Sequence, residues 1–281
     1  MSPNGSDRSP RRTMRRKLPQ ALALGLVIAT ATGCSSQDLP RLGLPSPVTE
    51  EGPIVLRMWQ GSWIAALVVG ALVWGLIIWS VIFHRRSRTK VEIPPQTRYN
   101  VPIEALYTAV PIVIVAVLFY FTARGETRLT DTSHKPDHTI NVVGFQWSWA
   151  FNYENDEKGE NAQGAYEVGT PAAPPTLYLP KGESVLFKLT SRDVIHDFWT
   201  ISFLMKMDVV PGVVNQFQVT PNAYGTYRGK CAELCGVDHS RMLFNVKIVS
   251  PADYQKHLET LRTKGQTGAV PSGIITTGSE K

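Results

Sequence analysis

The chain has 281 residues, of which 43% are apolar and 19% charged, a composition found in both globular and membrane proteins. Its formal net charge is +6, but six of its 29 basic groups and one of its 23 acidic groups lie in residues 1–33. The rest carries 23 basic and 22 acidic groups, so the charge gives no support for nucleic acid binding.

The N-terminal segment has the layout of a signal peptide. Basic side chains precede an apolar run over residues 21–29, and small residues follow up to Cys34. A small residue, Gly and then Cys resembles the lipobox of bacterial lipoproteins, although Ala31 stands where leucine is usual. We predict cleavage of residues 1–33 and lipidation of Cys34. Plain cleavage and an uncleaved anchor are the alternatives.

Two uncharged runs are long enough to cross a membrane as helices, which takes roughly 20 residues. They cover residues 58–83 and 105–123. The loop between them, residues 84–104, begins with a basic cluster and is therefore predicted to be cytoplasmic. The pattern predicts a helical hairpin in a bacterial cell membrane. Residues 34–57 and everything after residue 123 then lie on the external face.

Glu104 is an ionisable residue at the cytoplasmic start of the second predicted span. Such a side chain can simply extend into the lipid headgroups. The alternative is a role in proton uptake. The residues alone leave both interpretations open.

From about residue 138 the chain consists of short alternating apolar segments rich in Val, Phe, Tyr, Trp and Thr. Turn residues separate them, which predicts an antiparallel β-sandwich or barrel over residues 124–250. Residues 154–175 predict an exposed loop, and residues 251–281 a short helix and a flexible tail. The predicted strands are residues 139–153, 176–180, 184–190, 198–203, 215–219, 225–229 and 243–249.

No other segment is as dense in metal-ligating side chains as residues 229–242. It contains Cys231, Cys235, His239 and Met242. Thiolate and thioether sulfur favour copper, and imidazole suits copper among several transition metals, so the set indicates a copper site. A small disulfide loop is the alternative, because an exported domain permits disulfides.

His196 is the candidate for a further ligand from an earlier strand. A histidine at a strand end is more often a hydrogen-bonded structural residue, which is the alternative. A single blue copper ion needs only one cysteine, so the second cysteine indicates two bridged metal ions. The carbonyl of Glu233 could supply an axial ligand, which leaves its carboxylate solvated or free for Mg or Mn.

These motifs together resemble the cytochrome c oxidase subunit 2 family. The resemblance covers nearly the whole chain after the signal segment, in the family's order. It implies a two-helix membrane hairpin followed by a cupredoxin-like β-sandwich. The motifs are the Glu104 to Pro111 spacing, Gly144-Phe145-Gln146-Trp147-Ser148-Trp149, Asp193-Val194-Ile195-His196, Asp208-Val209-Val210-Pro211-Gly212 and the segment from Cys231 to Met242.

The resemblance also implies roles for single residues. The carboxylate of Glu233 would bind Mg or Mn shared with subunit 1, and Glu104 would lie at the mouth of a proton channel into that subunit. Trp147 would be the point of electron entry; its alternative is an ordinary core position on a strand face shared with Trp149 and Phe151. A binuclear copper A centre of two copper ions would be held by His196, Cys231, Cys235, His239, Met242 and the carbonyl of Glu233.

The implied activity is that of an oxidase. Electrons from a cytochrome c, free or membrane-bound, would pass to haem in subunit 1, where reduction of oxygen to water is coupled to proton pumping. The chain contains no Cys-x-x-Cys-His motif, so the donor is expected to be a separate protein. The implied partners are subunit 1, the other oxidase subunits, the donor cytochrome and membrane lipid.

Two positions depart from the commoner family pattern. Asp197 follows the upstream histidine where many members have serine, and Phe145 stands where histidine often precedes Gln-Trp. These differences affect the expected docking surface and leave the ligand set intact.

Three other classes of protein were considered. A quinol oxidase subunit would lack the copper ligands, and a nitrous oxide reductase needs a large propeller domain. A membrane-anchored copper carrier would leave Glu104 unexplained.

Overall fold

The computed structural model describes residues 39–85, 88, 93, 96–154 and 164–271. The chain divides into two units, residues 1–44 and residues 45–281. In the first unit the structure describes a 3₁₀ turn at Leu39–Arg41. The predicted signal peptide, Cys34 and the end of the predicted tail lie outside the described residues.

Two long apolar helices open the second unit. Helix α1 spans Gly52–Phe83 and helix α2 spans Val101–Leu129, and each is long and apolar enough to cross a membrane. They approach closely at Gly125, where an added Cβ would lie 2.3 Å from the Sδ atom of Met58. Glycine permits this close approach, because a Cβ at this position would require the flexible side chain of Met58 to move. Both helices extend past the uncharged runs, since flanking polar residues satisfy helical geometry as well as apolar ones do.

The β-domain is a sandwich of two sheets. The strands are β1 His138–Phe145, β2 Ser148–Tyr153, β3 Ala165–Val168, β4 Thr176–Pro180, β5 Val185–Ser191, β6 His196–Thr200, β7 Met205–Val209, β8 Asn215–Val219, β9 Gly225–Cys231 and β10 Leu243–Val249. Within the described residues, one sheet has the strand order β3-β2-β1-β5-β8 and the other β4-β10-β9-β6-β7. Helix α3, Pro251–Thr263, follows the last strand.

The prediction of a β-sandwich is confirmed, but the predicted antiparallel arrangement holds for only some of its strand pairs. Strand β1 pairs with β5 in parallel, and β10 pairs with β4 in parallel. Alternation of apolar and polar residues reports which face of a strand is buried. It does not report the direction of the neighbouring strand, so the parallel pairs could not be read from the pattern.

Three local predictions are corrected. The run predicted as one strand over residues 139–153 is the hairpin of β1 and β2, with a turn at residues 146–147. The predicted loop over residues 154–175 contains β3, and β7 had not been predicted. The turn has no Gly or Pro to mark it, while β3 and β7 lie at sheet edges, where polar residues are tolerated.

An aromatic core lies beneath the loop that carries the cysteines. The rings of Phe198 and Phe244 stack with centroids 4.7 Å apart, and Trp149 meets both edge-on. Such pairs contribute about 0.5–1.5 kcal/mol each beyond the burial of their area. Cys231 and Met242 belong to the same buried cluster, so the core fixes the base of the loop.

The segment before α1 is part of the β-domain. Val48 is buried and donates its backbone N–H to the carbonyl of Ser202, and Thr49 forms a β-bridge with Pro221. Both carboxylate oxygens of Glu51 accept from the backbone N–H of Thr220. These bonds tie the β-domain to the start of the first apolar helix.

Candidate metal centre

Two neighbouring strands bring the first two candidate ligands together. His196 begins β6 and Cys231 ends β9, and these strands pair so that Phe198 lies opposite Cys231. The other candidates lie in the loop that joins β9 to β10. That loop closes on itself, because the backbone N–H of Cys231 donates to the carbonyl of Met242 at 3.0 Å.

The two sulfurs and the two imidazoles form a continuous row. The Sγ atoms of Cys231 and Cys235 are 3.9 Å apart. The Nδ1 atom of His196 lies 3.9 Å from the sulfur of Cys231, and the Nδ1 atom of His239 lies 3.5 Å from the sulfur of Cys235. The ligand atoms of the first histidine and both cysteines all lie within 4.8 Å of one another, which is compact enough to hold a metal ion.

Each sulfur also has one weaker donor beside it. The Sδ atom of Met242 lies 3.7 Å from the sulfur of Cys235. The carbonyl oxygen of Glu233 lies 3.3 Å from the sulfur of Cys231 and accepts its hydrogen bond. The side chain of Glu233 is exposed, so the main chain of this residue faces the sulfurs while its carboxylate faces outward.

The cysteines form no disulfide with each other in this structure. Both are free and buried, and 3.9 Å is far longer than the S–S bond of about 2.05 Å. Burial, and then the neighbouring thiol of Cys231, raise the pKa of Cys235 to about 12. A buried pair of thiols therefore ionises only when a cation compensates the charge, which is the behaviour expected of metal ligands.

Asp193 orients His196. The carboxylate oxygen Oδ1 of Asp193 lies 2.8 Å from the Nε2 atom of the imidazole, and its Oδ2 accepts from the backbone N–H of Gln146. Burial lowers the pKa of His196, and the hydrogen bond that the imidazole donates to Asp193 opposes this. The imidazole is therefore neutral, with its proton on Nε2 and the lone pair of Nδ1 directed at the sulfurs.

Trp147 lies in the β1–β2 turn and contacts the metal loop. Its Nε1–H donates to the carbonyl of Cys235 at 3.1 Å, and the side chain of Gln146 donates to the same oxygen at 2.8 Å. Gly236, with φ of +124°, allows this approach, because an added Cβ would lie 2.9 Å from the indole nitrogen. Trp147 lies in a turn and not on the strand face that the alternative assumed, but it packs against the buried core that contains Trp149 and Phe151.

Sequence reasoning missed the supporting residues Asp193, Gln146 and Trp149. The indole of Trp149 donates to the carbonyl of Met242 at 3.4 Å, so it holds the end of the loop as well as filling the core. Asp193 stands three residues before a candidate ligand, and that spacing was the available signal. Nothing in the sequence indicated that Gln146 would reach the loop.

Asp197 is buried on the outward side of β6. Burial raises its pKa to about 6, and the charges of Asp208 and Glu233 add to this while Lys206 opposes it. The Nζ atom of Lys206 is 4.0 Å from one carboxylate oxygen, and the other oxygen has no hydrogen-bond partner among the described residues. Asp197, which departs from the family pattern, thus lies opposite Asp208 on the neighbouring strand and within the electrostatic influence of Glu233.

Glu104 lies far from the metal centre, in the first turn of α2. Its side chain accepts from the backbone N–H of Asn100 at 2.9 Å, and the side chain of Asn100 accepts from Ile103. This reciprocal pair is a capping box, which satisfies two N–H groups that would otherwise lack partners. The cap gives Glu104 a structural role in addition to the role implied by the resemblance.

The chain has two membrane-length helices, followed by a β-sandwich with a buried His/Cys/Cys cluster at one end. This combination defines a membrane-anchored, cupredoxin-like metal domain. The model of the family "Cytochrome C oxidase subunit II, periplasmic domain" matches residues 138–249. The chain is 64% identical to the probable cytochrome c oxidase subunit 2 of Streptomyces avermitilis, over 100% of this chain and 98% of that protein. The chain belongs to the cytochrome c oxidase subunit 2 family, which confirms the resemblance inferred from the motifs.

Two more distant similarities were found. The chain is 34% identical to the cytochrome c oxidase subunit 2 of Mycobacterium tuberculosis, over 90% of this chain and 84% of that protein. Among solved structures, the periplasmic domain of subunit II of cytochrome oxidase from Bradyrhizobium japonicum is 26% identical. That comparison covers 47% of this chain and 97% of the other, with a TM-score of 0.41. Membership places the chain in a haem-copper oxidase, an oxidoreductase complex, with its C-terminal domain outside the membrane.

Proposed function

We propose that this chain is the electron-entry subunit of a cytochrome c oxidase. It accepts single electrons from a cytochrome c and passes them to haem in subunit 1, where oxygen is reduced to water and protons are pumped. The observation that carries the proposal is the convergence of two imidazoles, one thioether and one carbonyl on two cysteine sulfurs 3.9 Å apart. Copper bound there would supply a one-electron redox couple.

The donor set supports two copper ions rather than one. Cys231 has the imidazole of His196 and the carbonyl of Glu233 beside it, while Cys235 has His239 and Met242. The donors therefore divide into two similar halves that share the sulfurs. A single ion would leave several of these donors without a function. Because the ligands are anchored in the aromatic core, they move little when the charge of the site changes, which favours fast electron transfer.

Trp147 is the proposed point of electron entry. Its indole is half-buried and lies one hydrogen bond from the backbone of Cys235. Two apolar side chains of the metal loop are strongly exposed, with Leu234 at 77% and Val237 at 86%. Exposed apolar side chains beside a redox site fit a short-lived contact with a donor cytochrome.

Glu233 is proposed to join the metal loop to subunit 1. Its carbonyl faces the sulfur of Cys231 while its carboxylate is exposed, so one residue can serve two ions. Carboxylate oxygen suits Mg or Mn, which neighbouring residues of subunit 1 would help to hold. The charges of Glu233 and Asp208 both raise the pKa of Asp197, so other carboxylates lie near Glu233 on this side of the domain.

The remaining proposals concern the membrane and the N-terminus. Glu104 would admit protons at the cytoplasmic side, and residues 34–57 would lie outside, with Cys34 lipidated after removal of residues 1–33. The basic residues between the two helices support this orientation. Mass spectrometry of the mature chain tests the N-terminus, because a lipid on Cys34 adds a mass that plain cleavage does not.

Copper analysis of the purified oxidase tests the proposed function. The unaltered chain should carry two copper ions in addition to the copper of subunit 1. Cys235→Ser should remove them and abolish oxidation of cytochrome c. Cys34→Ser, which alters the third cysteine outside the proposed site, should retain both ions. Full copper content in Cys235→Ser would contradict the proposal.

A further inference from the structure

A cleft lies between the two apolar helices, and its residues have no role in the proposed electron transfer. It has a volume of about 620 Å³, which is within the range of about 300–1,000 Å³ typical of ligand sites. It lies at the ends of α1 and α2 that join the β-domain. Arg57, Arg124 and Arg128 line it at this end.

The arginines are available to an external anion. Arg57 and Arg128 are exposed and form no ion pair with any residue that the structure describes. Within the part of the chain that the structure describes, Arg124 donates only to the hydroxyl of Tyr120, at 3.4 Å. Among the described residues, no acidic side chain lines the cleft. Basic residues are normally concentrated on the cytoplasmic side of membrane spans, so three arginines at the other end form an unusual cationic patch that suits an anionic partner.

Below the arginines the cleft is apolar. Helix α1 presents the small residues Gly61 and Ala65 to it, and α2 presents Leu118 and Phe121. The helices meet at Gly125 and Met58, and the small side chains further along α1 leave the space open. The cleft therefore has a cationic mouth at headgroup depth and an apolar floor at acyl-chain depth.

We propose that this cleft is a binding site for one anionic phospholipid of the outer leaflet. The phosphate would lie among Arg57, Arg124 and Arg128, and an acyl chain would lie along Ala65, Leu118 and Phe121. An anionic lipid matches both parts of the cleft, whereas a zwitterionic lipid matches only the apolar part and a free phosphate only the cationic part. The bound lipid would fill the space between the helices and hold the hairpin at a fixed spacing.

The assembled oxidase in phosphatidylcholine vesicles tests the proposal, with spin-labelled phosphatidylglycerol and spin-labelled phosphatidylcholine as probes. The unaltered oxidase should immobilise the phosphatidylglycerol label in preference. Arg57→Gln should lower that preference roughly fivefold, the effect expected of one cation facing an anionic headgroup. Arg98→Gln, which removes the same charge before the other end of α2, should leave the preference unchanged.

A pair of neighbouring alanines separates a lipid site from simple surface attraction. Ala65→Leu fills the cleft and should reduce the immobilised phosphatidylglycerol, while Ala66→Leu, one position away and outside the cleft, should not. Equal behaviour of these two variants would overturn the proposal. So would full displacement of the label by inorganic phosphate, or a helix of another subunit occupying the cleft in the assembled oxidase.

Discussion

The carboxylate of Asp193 lies 2.8 Å from the Nε2 atom of His196 and so decides which imidazole nitrogen faces the cysteine sulfurs. Its second oxygen accepts from Gln146, the residue that precedes the indole in contact with the metal loop. One carboxylate therefore links a proposed ligand from one sheet to the hairpin turn of the other. Such carboxylate–histidine pairs fix ligand orientation and raise ligand basicity.

Removal of this carboxylate should weaken metal binding. We expect Asp193→Ala to lower copper affinity by about 10–100-fold, because His196 loses the group that fixes its tautomer. Asp193→Asn retains one acceptor and should lose less. Competition with a copper chelator measures the affinity, with Asp131→Asn, an exposed aspartate of the α2–β1 linker, as the control. Unchanged affinity in Asp193→Ala would mean that the hydrogen bond has no role in the site.

A second prediction concerns the contact between the metal loop and the indole. Gly236→Ala places a Cβ 2.9 Å from the Nε1 atom of Trp147 in a backbone with φ of +124°, so it should displace the indole as well as strain the loop. Gly182→Ala is the matched control, since its φ of +80° carries strain of about 1–3 kcal/mol without any close neighbour. Both should lower the melting temperature, but only Gly236→Ala should slow electron uptake from reduced cytochrome c in a stopped-flow experiment.

Trp147 itself gives a third prediction. Trp147→Phe removes the hydrogen bond to the carbonyl of Cys235, and we expect electron entry to slow at least tenfold, or about 1.4 kcal/mol in the barrier. Copper content should not change, because the indole is not a ligand. Trp199→Phe alters another half-buried tryptophan, beside Lys230 on the outer face of its sheet, and should keep the normal rate. Equal rates in the two variants would rule out electron entry at Trp147.

Glu51 predicts a pH dependence of stability. Burial raises its pKa above the ordinary value of 4.5, despite the opposing hydrogen bonds from Thr220. A carboxyl group with a raised pKa takes up protons on folding. The contribution of Glu51 to the free energy of unfolding is therefore complete below pH 4.5. It is lost as the pH rises through the higher pKa that Glu51 has in the folded state.

The glutamine variant isolates this contribution. The melting temperature of Glu51→Gln, measured on the full chain in detergent, should rise relative to the unaltered chain as the pH increases from 4.5 to neutrality. Glu259→Gln changes an exposed glutamate of α3 that does not influence Glu51, and this variant should follow the unaltered chain at every pH. A constant difference between Glu51→Gln and the unaltered chain would show that the carboxyl group does not titrate as expected.

Much of the architecture could be predicted because its signals are local. Strands β4, β8 and β10 have the predicted bounds, since each is a short alternating run between turn residues. The helices and the ligand-dense loop were likewise evident from composition. The parallel pairing of β1 with β5 and the burial of Val48 against the β-domain depend on contacts between distant segments, which alternation does not encode.

The sequence predicted the donor residues of the candidate site, but it did not predict the residues that hold them in place. The metal-ligating chemistry and the close spacing of four side chains could be recognised in the sequence: Cys231, Cys235, His239 and Met242. Their supports could not, because Gln146 contacts the loop through an unmarked turn and Asp197 is an acidic residue at a buried position. Hydrogen bonds between separate strands require the fold before they can be assigned.

Electron paramagnetic resonance of the oxidised enzyme tests the central claim most directly. The sulfurs of Cys231 and Cys235 each have a separate set of donors beside them, so an electron shared by two copper nuclei is expected. The account predicts hyperfine structure from two equivalent copper nuclei, which disappears in Cys235→Ser. A signal from a single copper nucleus, or a copper-free chain with a disulfide between Cys231 and Cys235, would contradict it.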